Sequence, residues 1–129
     1  MELNLKPSEK IAVQNISQYL FEAQVQMHIV HLQAFNKSLE LHLSLKALYT
    51  SLGDLNDDLA EKSFPKTGLL LDYKSITIKN NFWPLPYITE LLDKVEKQRE
   101  SVKTPYIQQI VDNVIEAIAH SIYKITNLQ

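Results

Sequence analysis

The chain has 129 residues, 45% of them hydrophobic and 22% charged, a size that suits one domain and buries a core without a disulfide or metal staple. Its net charge of −2 divides into −3 over residues 1–64 (five Lys against five Glu and three Asp) and +1 over residues 65–129 (eight Lys or Arg against seven acids), so it lacks the basic stripe of a nucleic-acid-binding module. It has no cysteine, which excludes disulfide scaffolds and thiolate metal sites and fits a reducing compartment.

Residues Met1 to Pro7 lack the basic stretch and apolar run of a signal peptide, and no apolar run approaches the ~20 residues that cross a bilayer. A single domain over residues 1–129 in the cytoplasm is expected, with no membrane partner. Pro7-Ser8-Glu9 reads as a helix start with Ser8 as cap. From there Ile11, Ile16, Leu20, Ala23, Met27, Val30 and Ala34 recur at helical spacing. The first helix is expected over about 9–35. Asn36-Lys37-Ser38 supplies a C-terminal cap followed by an N-cap, and so an expected break, with one continuous helix as the alternative. Leu45, Leu48, Leu52, Leu55 and Leu59 then form a seam with steps of three and four, the core face of a second helix over about 39–62. Gly53 interrupts it at a cost of ~1 kcal/mol relative to alanine.

Residues 63–84 hold Pro65 and Gly68, the apolar Leu69-Leu70-Leu71 and the alternating Ser75-Ile76-Thr77-Ile78. They read as a long extended crossing with a short strand at 75–78. Phe82, Trp83 and Tyr87 at its end are expected either to pack over the end of a bundle or to form a partner-binding patch. A third helix is expected over about 86–103. Thr104-Pro105 gives the cap and first-turn proline of a fourth, over about 105–127, carrying Ile107, Ile110, Val111, Val114, Ile118 and Ile122. Two helices, a long crossing and two more helices describe an all-α, ferritin-like four-helix bundle.

With no glycine-rich phosphate loop and no nucleophile elbow, the chemistry rests on four histidines and the acids near them. His28 and His31 fall on the first helix, His42 at the start of the second and His120 on the fourth, where Glu116 shares its face. The constellation that stands out is His31, His42, Asp57 and Glu61. The turn between the first two helices brings the two histidines to one level, and Asp57 and Glu61, four apart, share a face of the second helix. His42 and Asp57 lie fifteen residues apart on one helix, ~22 Å along its axis, so one chain cannot close the site. Two copies packed antiparallel about a two-fold axis can close it twice. Imidazole and carboxylate suit iron, manganese or zinc. Against this stands the ordinary meaning of an acidic run: Asp54, Asp57, Asp58 and Glu61 as the solvated side of an amphipathic helix.

Two histidines flanking a helix turn, with Asp fifteen and Glu nineteen residues after the second, resemble the ferroxidase ligands of Dps-like mini-ferritins. That resemblance covers about half the chain. It implies a four-helix bundle, iron as the metal, a site shared across a two-fold dimer, and assembly into a hollow shell. Lys46 departs from it, standing where a supporting acid is common, and so does Leu32, where a tryptophan often stands. Over the whole length, His31-Leu32-Gln33, His42, Ala47-Leu48-Tyr49, Asp57, Glu61 and Tyr123-Lys124 also resemble a group of short, uncharacterised tailed-phage proteins, which implies a host-cytoplasm or virion location. Two functions are therefore expected. One is a mini-ferritin-like metal protein, a homodimer or higher homo-oligomer that binds iron and oxidises Fe(II). The other is a non-enzymatic phage structural or interaction protein with a vestigial metal site.

Overall fold

The structure is a computed structural model that describes residues 5–34, 38–67 and 71–128. Among the described residues there are four helices: α1 (Pro7–Gln33), α2 (Leu39–Thr67), α3 (Leu85–Arg99) and α4 (Pro105–Thr126). The helix α1 begins one residue before the expected cap. Lys6 is the N-cap and Pro7 is in the first turn, because a proline with fixed φ and no N–H costs nothing where helix amides have no partner. Ser8 is therefore inside the helix. The expected second cap does form: Ser38 Oγ accepts from the Leu41 amide at 3.1 Å. The remainder of the break, with residue 35 at the expected end of the first helix, lies outside the described residues, as do Gly68, Leu69 and Leu70.

The α2 helix runs past the expected end at 62 and through Pro65 to Thr67, while α3 stops at Arg99, short of 103. The α4 limits agree with expectation within a residue at its C-terminus. The bundle is a square in which α1 packs on α2 and α3, and α4 packs on α2 and α3. One core joins all four helices, with Ile16, Leu20, Met27, Leu45, Leu48, Leu52, Leu59, Ile88, Ile107, Ile118 and Ile125 wholly buried. Ile11, expected in the core, is 61% exposed, and Ala12 and Val13 occupy the inner face at that level. Gly53 lies where the first two helices meet: a Cβ there would stand 2.7 Å from Gln24 Nε2.

Side-chain bonds fix the helix directions. Ser17 Oγ donates to Asn56 Oδ1 at 2.7 Å, so α1 and α2 are antiparallel. Asn15 Nδ2 donates to Gln98 Oε1 at 3.2 Å, so α1 and α3 are antiparallel too. Hence α2 and α3 run the same way, and their connection must return along the whole bundle. It does so over α1, from the Asp72 level to the Asn81 level.

The strand expected at 75–78 is not formed, and among the described residues the crossing has no partner strand. Glutamine side chains on α1 take that place. Gln18 accepts from the Lys74 amide at 2.9 Å and donates to the Lys74 carbonyl at 3.2 Å. Gln26 does the same with Lys79, at 2.9 and 2.8 Å. Gln14 accepts from the Asp72 amide at 2.7 Å and donates to the Asp72 carbonyl. Gln33 accepts from the Asn81 amide at 2.9 Å. A primary amide carries one donor and one acceptor side by side, so it pairs with an extended residue as a neighbouring strand would. The distances fit: nineteen helical residues from Gln14 to Gln33 rise ~28 Å, and nine extended steps from Asp72 to Asn81 cover ~30 Å.

Candidate metal centre

At the α1–α2 turn the two histidines clasp each other. His31 Nδ1 donates to the His42 carbonyl at 2.7 Å, and His42 Nδ1 donates to the His31 carbonyl at 2.9 Å. The rings stack at 3.7 Å between centroids, 21° apart. A carbonyl only accepts, so Nδ1 carries the proton in both rings, and in the neutral imidazole the lone pair then belongs to Nε2. His31 is 5% exposed. Burial holds its pKa below the ordinary 6.5, the bond to the His42 carbonyl opposes that, and the charges of His42, His28 and Lys46 lower it further.

Tyr49 extends the cluster, stacking on His28 at 4.3 Å and meeting His31 edge-on at 5.2 Å. In the sequence Tyr49 stood out only within the resemblance to phage proteins. Its spacing of seven from His42 was the available signal, since residues two turns apart share a helix face. His28 is exposed, as are His120 and Glu116 on α4.

Asp57 and Glu61 are exposed on α2 with Asp54 and Asp58, which is the solvated face expected of an acidic run. They are not brought to the histidines. Among the described residues no group of three or more His, Cys, Asp or Glu stands close enough to hold a metal ion. Along α2 the carboxylates begin ~22 Å from His42.

Each imidazole of the pair meets one chemical demand of a first-row divalent metal. A ring that donates Nδ1–H to a carbonyl is held in the tautomer and orientation that metal-binding histidines use. The absence of thiolates leaves a donor set suited to iron, manganese or zinc.

Sequence expectation missed one buried carboxylate in the fold, Glu9, 3% exposed. Glu9 Oε1 accepts from the Lys103 and Thr104 amides at 3.0 and 2.8 Å. It serves the start of α4, whose own N-cap, Thr104, makes no side-chain bond. With both bonds on the backbone, Glu9 has a structural role.

No helix among the described residues is long and apolar enough to cross a membrane. No curated protein and no solved structure matches the chain. A model of a family of unknown function, DUF5856, matches residues 31–125, a span that takes in His31, His42, Asp57, Glu61, the whole of α2 and α3, and α4 up to its last residue but one. The chain belongs to that family.

Proposed function

We propose that this chain is a ferritin-like metal-binding protein whose site is shared across a two-fold homodimer, with iron as the metal and manganese or zinc as substitutes. His31 and His42 come from one protomer, and Asp57 and Glu61 from the other. The observation that carries the reading is the reciprocal bonding of the two histidines, which commits each Nδ1 to backbone and puts the ring lone pair on Nε2. A neutral, buried His31 supports it, because only neutral imidazole binds a metal. So does the connectivity, since one long crossing between the second and third helices is the ferritin arrangement.

Bound there, iron supplies one-electron redox chemistry toward peroxide or oxygen. The chain's own residues do the rest. The clasp holds the imidazoles in place without a metal, Tyr49 and His28 shield one side of His31, and the exposed carboxylates supply negative charge.

Titrating the purified protein anaerobically with Fe(II), and separately with Zn(II), tests the reading, followed by Fe(II) oxidation on adding peroxide. Saturable binding at one metal per chain is expected, lost in His31→Ala and in Asp57→Asn. Absence of bound metal, together with unaltered melting of wild type on metal addition, would overturn it.

The other reading is a non-enzymatic helical structural or interaction protein of a phage. It is favoured by the same clasp, which closes the α1–α2 turn without any metal, and by the exposure of Leu32, Leu39 and Leu43 at that end, at 62%, 60% and 53%. It requires His31→Ala to destabilise the fold with no metal-dependent property to lose.

A further inference from the structure

Between α2 and α4 lies a groove of about 70 Å³, lined by Ser44, Ser51, Ser121, His120 and Lys124, with Ala47 and Ala117 leaving it open. A cavity needs ~10–15 Å³ for each water, so the groove has room for about five non-hydrogen atoms, the size of a phosphate ion. The connection from α3 to α4 spans only 100–104, and a short connection makes neighbouring helices antiparallel. Because α2 runs the same way as α3, α4 runs against α2 as well. The two ends of the groove therefore differ. Ser44 and Lys124 stand toward the N-terminus of α2, Ser51 and Ala117 stand ~10 Å further along, and Ser121 lies between.

Ser121 is 5% exposed, and its hydroxyl has no hydrogen-bond partner among the described residues. No unpartnered side-chain oxygen is sealed inside them, so Ser121 Oγ opens on the groove that the residue lines. A hydroxyl inside a helix commonly turns onto a carbonyl of the preceding turn. Ser63 Oγ does so to the Ala60 carbonyl at 3.3 Å, and Thr89 Oγ1 to the Leu85 carbonyl at 2.9 Å. Ser44 and Ser121 do not, and each keeps an O–H to donate. Small residues explain why two helices approach closely. They do not explain a buried hydroxyl left without an acceptor.

We infer that this groove is a binding site for one tetrahedral oxyanion of the phosphate class, held by Ser44, Ser121 and Lys124 with His120 at the rim. Charge selects an anion, because Lys124 is a full cation and no acid is among the lining residues. Hydroxyl and ammonium donors facing one charged acceptor form the stronger kind of hydrogen bond. The cationic end places the ion beside Lys124, away from Ser51. None of His31, His42, Asp57 and Glu61 lines the groove, so the site does not depend on the metal reading.

Isothermal titration calorimetry with inorganic phosphate, in chelator so that no bound metal can hold the ion, tests the inference. One saturable site per chain is expected, and the melting temperature of wild type should rise with phosphate. Ser121→Ala and Lys124→Gln should each weaken binding about tenfold, the scale of one hydrogen bond to a charged group. Lys62→Gln, which alters an exposed lysine at the other end of α2, should leave Kd unchanged. Melting of each variant without phosphate separates a lost site from a lost fold, and Lys124, being exposed, can be replaced without disturbing the core. Absence of saturable binding overturns the inference and leaves the groove to water. So does a Kd indifferent to Ser121→Ala, or a loss in Lys62→Gln equal to that in Lys124→Gln, which marks a diffuse charge effect. Methyl phosphate separates the sources of the ligand: binding comparable to inorganic phosphate assigns the groove to a phosphomonoester, and loss of binding assigns it to the free ion, both upholding the oxyanion site.

Discussion

Glu9 shows what one buried charge can do in a small bundle. Its carboxylate binds two amides at the start of α4, across 94 and 95 residues of sequence, and so ties the first turn of α1 to the far helix pair. Hydrogen bonds to a charged group contribute about 1.5–3 kcal/mol each. Glu9→Ala should destabilise the protein by about 2–4 kcal/mol in urea unfolding, and Glu9→Gln, which keeps a carbonyl acceptor, by less. At the other end of α1 the histidine clasp carries a pH dependence. His31 is held below 6.5 by burial, so below that pH the unfolded chain binds a proton that the folded chain does not. Stability is then complete above pH 6.5 and is lost as pH falls through the folded value. The melting temperature should fall between pH 7 and pH 5, and His31→Gln should flatten that part of the curve.

Among the elements, the crossing is the least ordinary, since its backbone is satisfied by side chains. Gln26 is 3% exposed and holds both polar groups of Lys79. Gln26→Ala should cost about 1–3 kcal/mol and speed amide exchange at Lys79 before it affects α3 or α4. Loss of Gln18 should be milder, because the exposed Lys74 groups can turn to water. Gly53 makes the opposite case. Its α2 position is helical, and the clash of an added Cβ falls on the far end of the flexible Gln24 side chain. Gly53→Ala should therefore stabilise by up to ~1 kcal/mol, the helix-propensity difference, read as a rise in melting temperature.

For the whole molecule, the four helices share one core, so they should unfold together. The single tryptophan, Trp83, is 41% exposed at the end of the crossing, where it lines a cleft of about 270 Å³ with Val30, Ala34 and Leu41. Its fluorescence reports the crossing, and circular dichroism reports the helices. The two transitions should coincide in wild type and shift together in Leu52→Ala, by about 2–5 kcal/mol for a wholly buried leucine.

Much of this fold was legible in the residues. The apolar periods of α1, α2 and α4, the Ser38 cap and the Thr104-Pro105 start are local properties, set by helical spacing and by the geometry of proline and serine. Pro65, Gly68 and the alternation at 75–78 located the long connection over 63–84. Local rules failed where a distant partner decided the outcome. The crossing alternates like a strand, yet its partner is a row of glutamines that reads in the sequence as a solvated face. Ser8 yielded to Pro7 as the limit of α1, and Ile11 turned outward because the inner face at that level belongs to Ala12 and Val13.

The candidate site divides along the same line. Spacing alone established that His42 and Asp57 are too far apart on α2 to meet in one chain, because a helix rises by a constant amount per residue. It could not show that His31 and His42 bind each other's carbonyls, that His31 is buried, or that Tyr49 closes against it. Those facts depend on how α1 turns into α2 and on the angle at which the two helices pack. Periodicity tells which face of a helix is apolar, but only tertiary structure decides what the other faces meet.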